Sequence, residues 1–404
     1  MGILVLSNAT LSPLLRPASS SISCKLFTLL SNSENVTLSL SNIAFATFEA
    51  NFSILLSYNS LRVLNVIFFS KLIPIYKRKS NFFYSFNAIF AENLTMLLHS
   101  DILAAAFESG FNLCGIARCR VLSEREDDFR RWLECGFDSS LGYMHRGVEK
   151  RFDPSLLLPD AKSVAVCAVS YKNEISEGYD RWPDTPKIAS YACTADYHDT
   201  IKSMLGQMAE KLGLRQAGIA WRCFTDSAPM LEKAWAVEAG LGWIGRNSLL
   251  VTPRYGSFML LGELVTDAPV DMYDTPYAGN GCGECRRCIE ACPNSAITSR
   301  RVIDTRRCIS RLTVEKGDAD VSSDLHGWVF GCDVCQNVCP YNRKAPKYTC
   351  AAFGPVLDPR RITRRQWAEM SESEFASLAG RTPLRRGGYE RIRRLCGYGK
   401  INKE

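Results

Sequence analysis

Apolar residues along this chain follow two regimes, and the boundary between them lies near residue 96. Residues 1–95 are rich in Ser, Asn, Phe and Leu and contain no aspartate and few other charges. They hold neither helical nor strand periodicity over a useful length. Their most apolar stretch, Val63–Phe69, is interrupted by Asn65 and preceded by Arg62, which falls short of the roughly 18 apolar residues a membrane-crossing helix needs. Met1–Leu6 lacks the basic lead of a secretory signal. From Met96 the character changes. Ser100-Asp101 offers a helix cap, Ile102–Phe107 begins an amphipathic helix, and Gly110 closes it. The functional protein is therefore expected to start near Met96, with 1–95 a disordered extension or the product of an upstream start that is not used.

Helical and strand patterns then alternate as far as residue 275. Leu113–Ala117 and Val164–Ser170 are short apolar runs with β-branched content and predict buried strands. Ile201, Met204, Leu205, Met208 and Leu212 make the stripe of a helix over Tyr197–Leu212. Ile219–Phe224 predicts another strand, Pro229–Ala239 another helix, and Ser257–Thr266 a core strand. That alternation predicts one α/β or α+β domain over 96–276, of about 180 residues, a usual domain size. A cysteine-rich domain follows over 277–345, and 346–404 is a short arginine-rich segment, helical in places.

The bulk numbers change this picture little. The 404 residues leave room for two or three domains, and 46% hydrophobic with 23% charged residues are globular values. The net charge of +7 permits an anionic partner without specifying one.

The cysteines change it most. Cys282-x2-Cys285-x2-Cys288-x3-Cys292-Pro293 is the ferredoxin spacing, and Cys308 with Cys332-x2-Cys335-x3-Cys339-Pro340 makes a second run. A cubane cluster needs one thiolate per iron. Three cysteines two residues apart wrap one cluster, and the fourth, before proline, reaches the neighbouring cluster. By that rule Cys282, Cys285, Cys288 and Cys339 hold one [4Fe–4S] cluster, and Cys292, Cys308, Cys332 and Cys335 the other. The second run is unusual because residues 309–331 separate Cys308 from its partners. Zinc, the bland reading of paired C-x2-C elements, explains neither the third cysteine of the first run nor the two Cys-Pro ends. Disulfides fit poorly with cysteines that are clustered rather than scattered in a long chain. The other nine cysteines show no ligand spacing, and most of them read as small core residues.

Other polar groups have two readings. Asp226-Ser227-Ala228-Pro229 lies between a predicted strand and helix, where Asp and Ser commonly cap and Pro opens the first turn. The same place suits a general acid. His198, in Asp196-Tyr197-His198, is either a functional group or a satisfied first-turn residue. Gly240–Asn247 is a glycine-rich turn but not a dinucleotide fingerprint. Arginine pairs recur at Arg300-Arg301, Arg306-Arg307, Arg360-Arg361, Arg364-Arg365, Arg385-Arg386 and Arg393-Arg394. One pair is usually a solvated face; so many suggest contact with phosphates.

Several segments in one order resemble a known family. They are Lys150–Pro154 with Leu157–Ser163, Asp196-Tyr197-His198, Asp226–Glu232, Gly240–Asn247, Gly256-Ser257, Leu261-Gly262-Glu263 and the cysteine array with Cys308-Ile309-Ser310 and Gly331–Gln336. Together, over about 97–395, the chain resembles the epoxyqueuosine reductases, iron–sulfur and cobalamin enzymes that complete the tRNA-modified base queuosine. Cys193-Thr194-Ala195 departs from the basic, glycine-containing stretch usual there, and 1–95 match nothing in the family.

The resemblance implies a cobalamin-binding α/β domain followed by a ferredoxin-like domain with two clusters, in a monomeric cytoplasmic oxidoreductase. Asp226 would be the general acid. Arg151, His198, Asp226, Trp243, Asn247 and Thr313 would contact cofactor. The substrate would be tRNA carrying epoxyqueuosine, with an external electron donor and no membrane partner. Asp226 would protonate the opening epoxide oxygen with a pKa raised by burial. The insertion (Leu312, Thr313, Lys316, Trp328) would close the cofactor face and meet the anticodon loop, and the arginines would hold the tRNA backbone. Two alternatives remain. A reductive dehalogenase-like cobalamin enzyme would normally carry a twin-arginine signal, which Met1–Leu40 lacks. A ferredoxin-like carrier would have no use for the domain upstream.

Overall fold

The computed structural model describes residues 96–139, 141–279, 281–298, 301–315 and 324–397. The expectations for 1–95, Arg300 and Lys316 lie outside them. The described residues belong to one compact unit. In chain order its elements begin with α1 (His99–Glu108), β1 (Leu113–Arg118), α2 (Glu126–Glu134), α3 (Val148–Phe152), β2 (Ser163–Ser170) and β3 (Lys187–Ile188). The middle of the chain supplies α4 (Tyr197–Lys211), β4 (Trp221–Phe224), α5 (Glu232–Glu238), β5 (Trp243–Ile244), β6 (Leu250–Val251) and β7 (Met259–Thr266). Around the cysteines lie α6 (Arg287–Glu290), α7 (Ile309–Val314), β8 (Trp328–Phe330), α8 (Val334–Asn337) and α9 (Pro340–Lys344), followed by α10 (Arg364–Glu369), α11 (Glu372–Ala379) and α12 (Tyr389–Gly397).

Four strands make the central sheet, in the order β1-β2-β7-β4 and antiparallel throughout. Of the two fold readings, α+β is the one that describes it. All eight residues of β2 are buried, because helices cover both faces, and this is why the strand reads as an unbroken apolar run rather than an alternation. On one face α1 and α4 pack Ile102, Ala105, Ile201, Leu205 and Met208 onto Cys167, Val169 and Leu264. On the other, Ala234 and Trp235 of α5 meet Val166, Leu261 and Val265. Gly262 lets α4 lie close: a Cβ there would come within 2.5 Å of Ile201. The helix expected to be capped by Ser100-Asp101 instead begins at His99 after Leu98, with no side-chain cap, and ends before Gly110 at φ +97°. The apolar stripe placed the helix, but local capping chemistry did not set its first residue.

A third apolar cluster joins sequence-distant segments: Ile188, Ala189 and Ala192 pack with Ile309, Trp328–Phe330, Leu357, Trp367 and Leu384. The parallel pair β3–β8 sets Lys187 beside Trp328 and Ile188 beside Phe330. Its continuation binds the cysteine region to the chain entering α4, since Ser190 N–H donates to Asp333 Oδ2 at 2.6 Å. Among the described residues no helix is long and apolar enough to cross a membrane.

Candidate functional site

The eight thiols of the two runs lie in two neighbourhoods. Cys288 is close enough to feel the charge of Cys282, Cys285 and Cys339, and Cys339 that of Cys282 and Cys285. Cys332 feels Cys308 and Cys292, while Cys335 feels Cys332, Cys308 and also Cys288 across the gap between the sets. Among the described residues no three His, Cys, Asp or Glu side chains converge tightly enough for a single metal ion. Two groups of four thiols fit cubane clusters, whose four irons are themselves spread apart. Burial pushes the Cys288 thiol up to about 11 and Cys332 to about 12, so cluster assembly must displace protons.

Trp243, predicted as a cofactor contact, stands against the first of these sets. Its indole N–H donates to Cys282 Sγ at 3.3 Å, and its ring lies between Tyr277 and Tyr341. Hydrogen bonds to cluster sulfur favour the more negative, reduced cluster. Trp243→Phe is therefore expected to lower the potential of the cluster that includes Cys282. A bond worth about 0.5–1.5 kcal/mol corresponds to roughly 20–60 mV for one electron. Redox titration followed by EPR checks the shift.

Asp226 follows β4, where the Thr225 hydroxyl donates to the Leu261 carbonyl at 2.8 Å. Asp226 has φ +53°, a left-handed conformation that Asp and Asn tolerate better than most residues. The helix α5 starts six residues later, after Leu231, without a side-chain cap, so the capping reading does not hold. Instead the Asp226 carboxylate accepts a short hydrogen bond from the Tyr197 hydroxyl, and His198 Nε2 lies 3.4 Å from it. Its backbone N–H donates to the Glu232 carboxylate. His198 is stacked on Tyr197, and its Nδ1 is 2.8 Å from Asp196 Oδ1, so the imidazole bridges two carboxylates. Asp196 also caps α4 and binds Arg385 at 2.9 Å. Burial raises its carboxyl, but hydrogen bonds from His198 and Arg385 outweigh this and bring it to about 2.

The electrostatics of Asp226 differ from the sequence expectation. Burial raises its pKa, but hydrogen bonds from His198 and Tyr197, with the charges of His198 and Arg386, pull it below 3.8. The side chain keeps 59% of its surface accessible while protein surrounds it on most sides, as for a group on the floor of a cleft. Lys233 is likewise accessible yet enclosed, and its Nζ donates to the Ser248 carbonyl at 2.8 Å.

The remaining predicted contacts are more dispersed. Arg151 is buried beside Phe129 and donates to the Tyr143 carbonyl at 2.8 Å. Tyr143 in turn reaches Glu315 at 3.1 Å and lies near enough to feel Asp226. Asn247 is buried within its own turn, with Oδ1 3.4 Å from Leu249 N. The Thr313 hydroxyl donates to the Ile309 carbonyl at 2.7 Å and accepts from Gly331 N–H at 3.0 Å, fixing α7 next to Cys332. A cavity of about 430 Å³ lined by Leu113, Gly240, Pro253 and Asp274 contains none of the predicted residues. Sequence reading missed Tyr143, Lys233 and the Arg385–Asp196 link. Two partners 189 residues apart leave no local signal. Several paired arginines also have internal partners: Arg306 binds Asp304, Arg360 binds Asp358, and Arg364 reaches the carbonyls of Gly327 and Leu395.

Comparison with known proteins follows the same outline. The family model described as 4Fe-4S double cluster binding domain matches residues 281–342. The model described as Epoxyqueuosine reductase QueG, DUF1730 matches 151–227. The epoxyqueuosine reductase of Cellulophaga algicola is 37% identical over 305 residues, covering 74% of this chain and 97% of that protein. That of Cyclobacterium marinum is 38% identical over 310 residues, covering 76% and 98%. The structure of epoxyqueuosine reductase from Streptococcus thermophilus superposes with a TM-score of 0.63 at 27% identity, covering 73% of this chain and 79% of that one. An epoxyqueuosine reductase crystallised with an epoxyqueuosine-modified tRNA-Tyr stem loop gives 0.65 at 26% identity, covering 74% and 79%. Relatives more than a third identical across nearly their whole length establish that the chain belongs to the epoxyqueuosine reductase family.

Proposed function

We propose that this protein reduces epoxyqueuosine in tRNA to queuosine, with electrons passing through two [4Fe–4S] clusters to cobalamin. The observation that carries the reading is one compact unit holding both sets of four thiols and, across the β3–β8 pairing, the Asp226–Tyr197–His198 group. Loss of the epoxide oxygen as water takes two electrons and two protons. The clusters deliver electrons singly, and cobalamin, when bound, supplies a strongly reducing cobalt centre. The chain's own part is to exclude water, orient the epoxide and deliver protons.

Asp226 is the group placed to protonate the departing oxygen, held in position by Tyr197 and His198. The division of labour follows the chain: 96–276 hold cobalamin, 277–345 hold the clusters, and 346–404 support both. Arginines such as Arg361 and Arg394, on the exposed surface, meet the tRNA backbone. The enzyme acts as a cytoplasmic monomer with an external electron donor.

The test is direct. The anaerobically reconstituted protein is incubated with cobalamin, a reductant and epoxyqueuosine-containing tRNA, and the nucleosides are analysed. Queuosine is expected to replace epoxyqueuosine. Unchanged epoxyqueuosine beside an active control enzyme overturns the reading, and absence of a cobalt spectrum would reduce the protein to an electron carrier.

A further inference from the structure

An Asp226 carboxyl held below its ordinary pKa is a carboxylate at neutral pH, so the proton it gives away must reach it from somewhere. Beneath it lies an unusual side chain. Glu263 sits on β7 between Leu261 and Val265, whose side chains share the apolar layer under α5 with Phe224, Ala234 and Trp235. Its register neighbours on the adjacent strands are Val166 and Phe224. It is fully buried, and neither carboxyl oxygen has a hydrogen-bond partner. An ionised carboxylate in such a place is strongly disfavoured, so the group keeps its proton.

Glu232, at the start of α5, lies near both Asp226 and Glu263. Its carboxylate accepts the Asp226 backbone N–H, and it is close enough to Glu263 for its charge to resist ionisation there. Burial and the Asp226 charge push Glu232 up to about 8, and burial with Glu232 and Asp226 pushes Glu263 well above the usual carboxyl range. Lys233 works against the first shift, and Cys167, on the opposite face of β2, is near enough to feel the charge of Glu263. On the cleft side His198, Tyr197 and Arg386 favour ionised Asp226. The three carboxyls thus run from a sealed interior to an accessible cleft, with protons kept at the inner end. Neighbouring carboxyls that feel one another's charge titrate as a set.

We propose that Glu232 and Glu263 form a proton store that recharges Asp226 during epoxide reduction. This rests on Asp226 being the acid. When substrate and cofactor cover the cleft, water leaves Asp226 and its carboxylate gains proton affinity. The Glu232 O–H proton passes to Asp226, and from there to the oxygen leaving carbon. Glu263 reprotonates Glu232 after a side-chain swing, since neither of its oxygens is bonded at rest, and the pair is refilled from solvent through Asp226 when the cleft reopens between turnovers. The electrons come from the external reductant through the clusters, so the relay moves protons only. Both glutamates act through Asp226 and do not touch substrate.

Glu263→Gln and Glu232→Gln, close in shape and unable to carry the exchangeable proton, test this. In ligand-free protein, infrared titration is expected to show carboxylic-acid C=O absorption persisting through neutral pH and diminished in each variant. Folding stability gives a second readout. Because the folded state binds more protons than the unfolded one, wild-type stability falls as pH rises from the ordinary value of 4.5 through about 8. Each variant flattens that slope. In turnover, Glu263→Gln is expected to lower kcat roughly ten- to hundredfold, to move the alkaline limb to lower pH, and to leave KM for tRNA unchanged; Glu263→Asp recovers part of the rate.

Wild-type kcat and pH profile in both variants overturn the store, while a dead Asp226→Asn beside them keeps Asp226 as the acid. A fully active Asp226→Asn overturns the acid assignment instead. If Glu263→Gln does not fold, the wild-type infrared titration and Glu232→Gln decide: no protonated carboxyl at neutral pH, or an unchanged pH profile, refutes the proposal.

Discussion

Asp226→Asn is expected to lower turnover of epoxyqueuosine by about 10²–10⁴-fold, the usual contribution of a positioned general acid, without loosening the protein. Asn tolerates the φ of +53° that this position imposes, and its amide oxygen still accepts the Tyr197 hydroxyl. It cannot take a proton from Glu232 and pass it on. His198 would keep its bond to Asp196 and Tyr197 its stacking on the ring, so cobalamin binding and tRNA affinity should change little. The defect should therefore appear in kcat and in single-turnover rate, with KM nearly unchanged. Rapid-quench analysis of nucleosides under saturating cofactor measures this. Full turnover in the variant would remove Asp226 from the chemistry while leaving the family assignment in place.

What could be read from the chain follows from how local each cause is. The stripe Ile201, Met204, Leu205 and Met208 gave α4 nearly to the residue, and the apolar run at Val164 gave β2, because periodicity and burial are properties of neighbouring residues. Cysteine spacing is legible for the same reason, since a cluster loop is built within a few residues. Asp226 was harder. Whether it caps a helix or faces a cleft depends on Leu231 ending the loop and on Tyr197 arriving from α4. The direction of its pKa depends on His198 and Arg386, neither adjacent in sequence. Arginine pairs are hard to read for the same reason. That Arg385 binds Asp196 is not visible from the pair Arg385-Arg386 itself. Glu263 was visible only as part of a motif, and its lack of partners is a fact of three dimensions.

Cys292→Ala and Cys339→Ala should each remove a cluster, and in each case the one bound mainly by the other run. Cys292 lies four residues after Cys288 in the chain, yet Cys332 and Cys308 are the thiols that feel it. Cys339 follows Cys335, yet it lies with Cys282 and Cys285. Either variant should bind about half the wild-type iron and lose essentially all turnover if, as proposed, single electrons cross both clusters to reach the cofactor. Iron content alone would not tell the two apart. Trp243 does, because its N–H marks only the cluster that includes Cys282. In Cys292→Ala protein the surviving cluster should still shift downward by roughly 20–60 mV on adding Trp243→Phe. In Cys339→Ala protein the surviving cluster should not respond to the same change. The opposite pattern would mean that each run closes its own cluster, and that the prolines after Cys292 and Cys339 only end their loops.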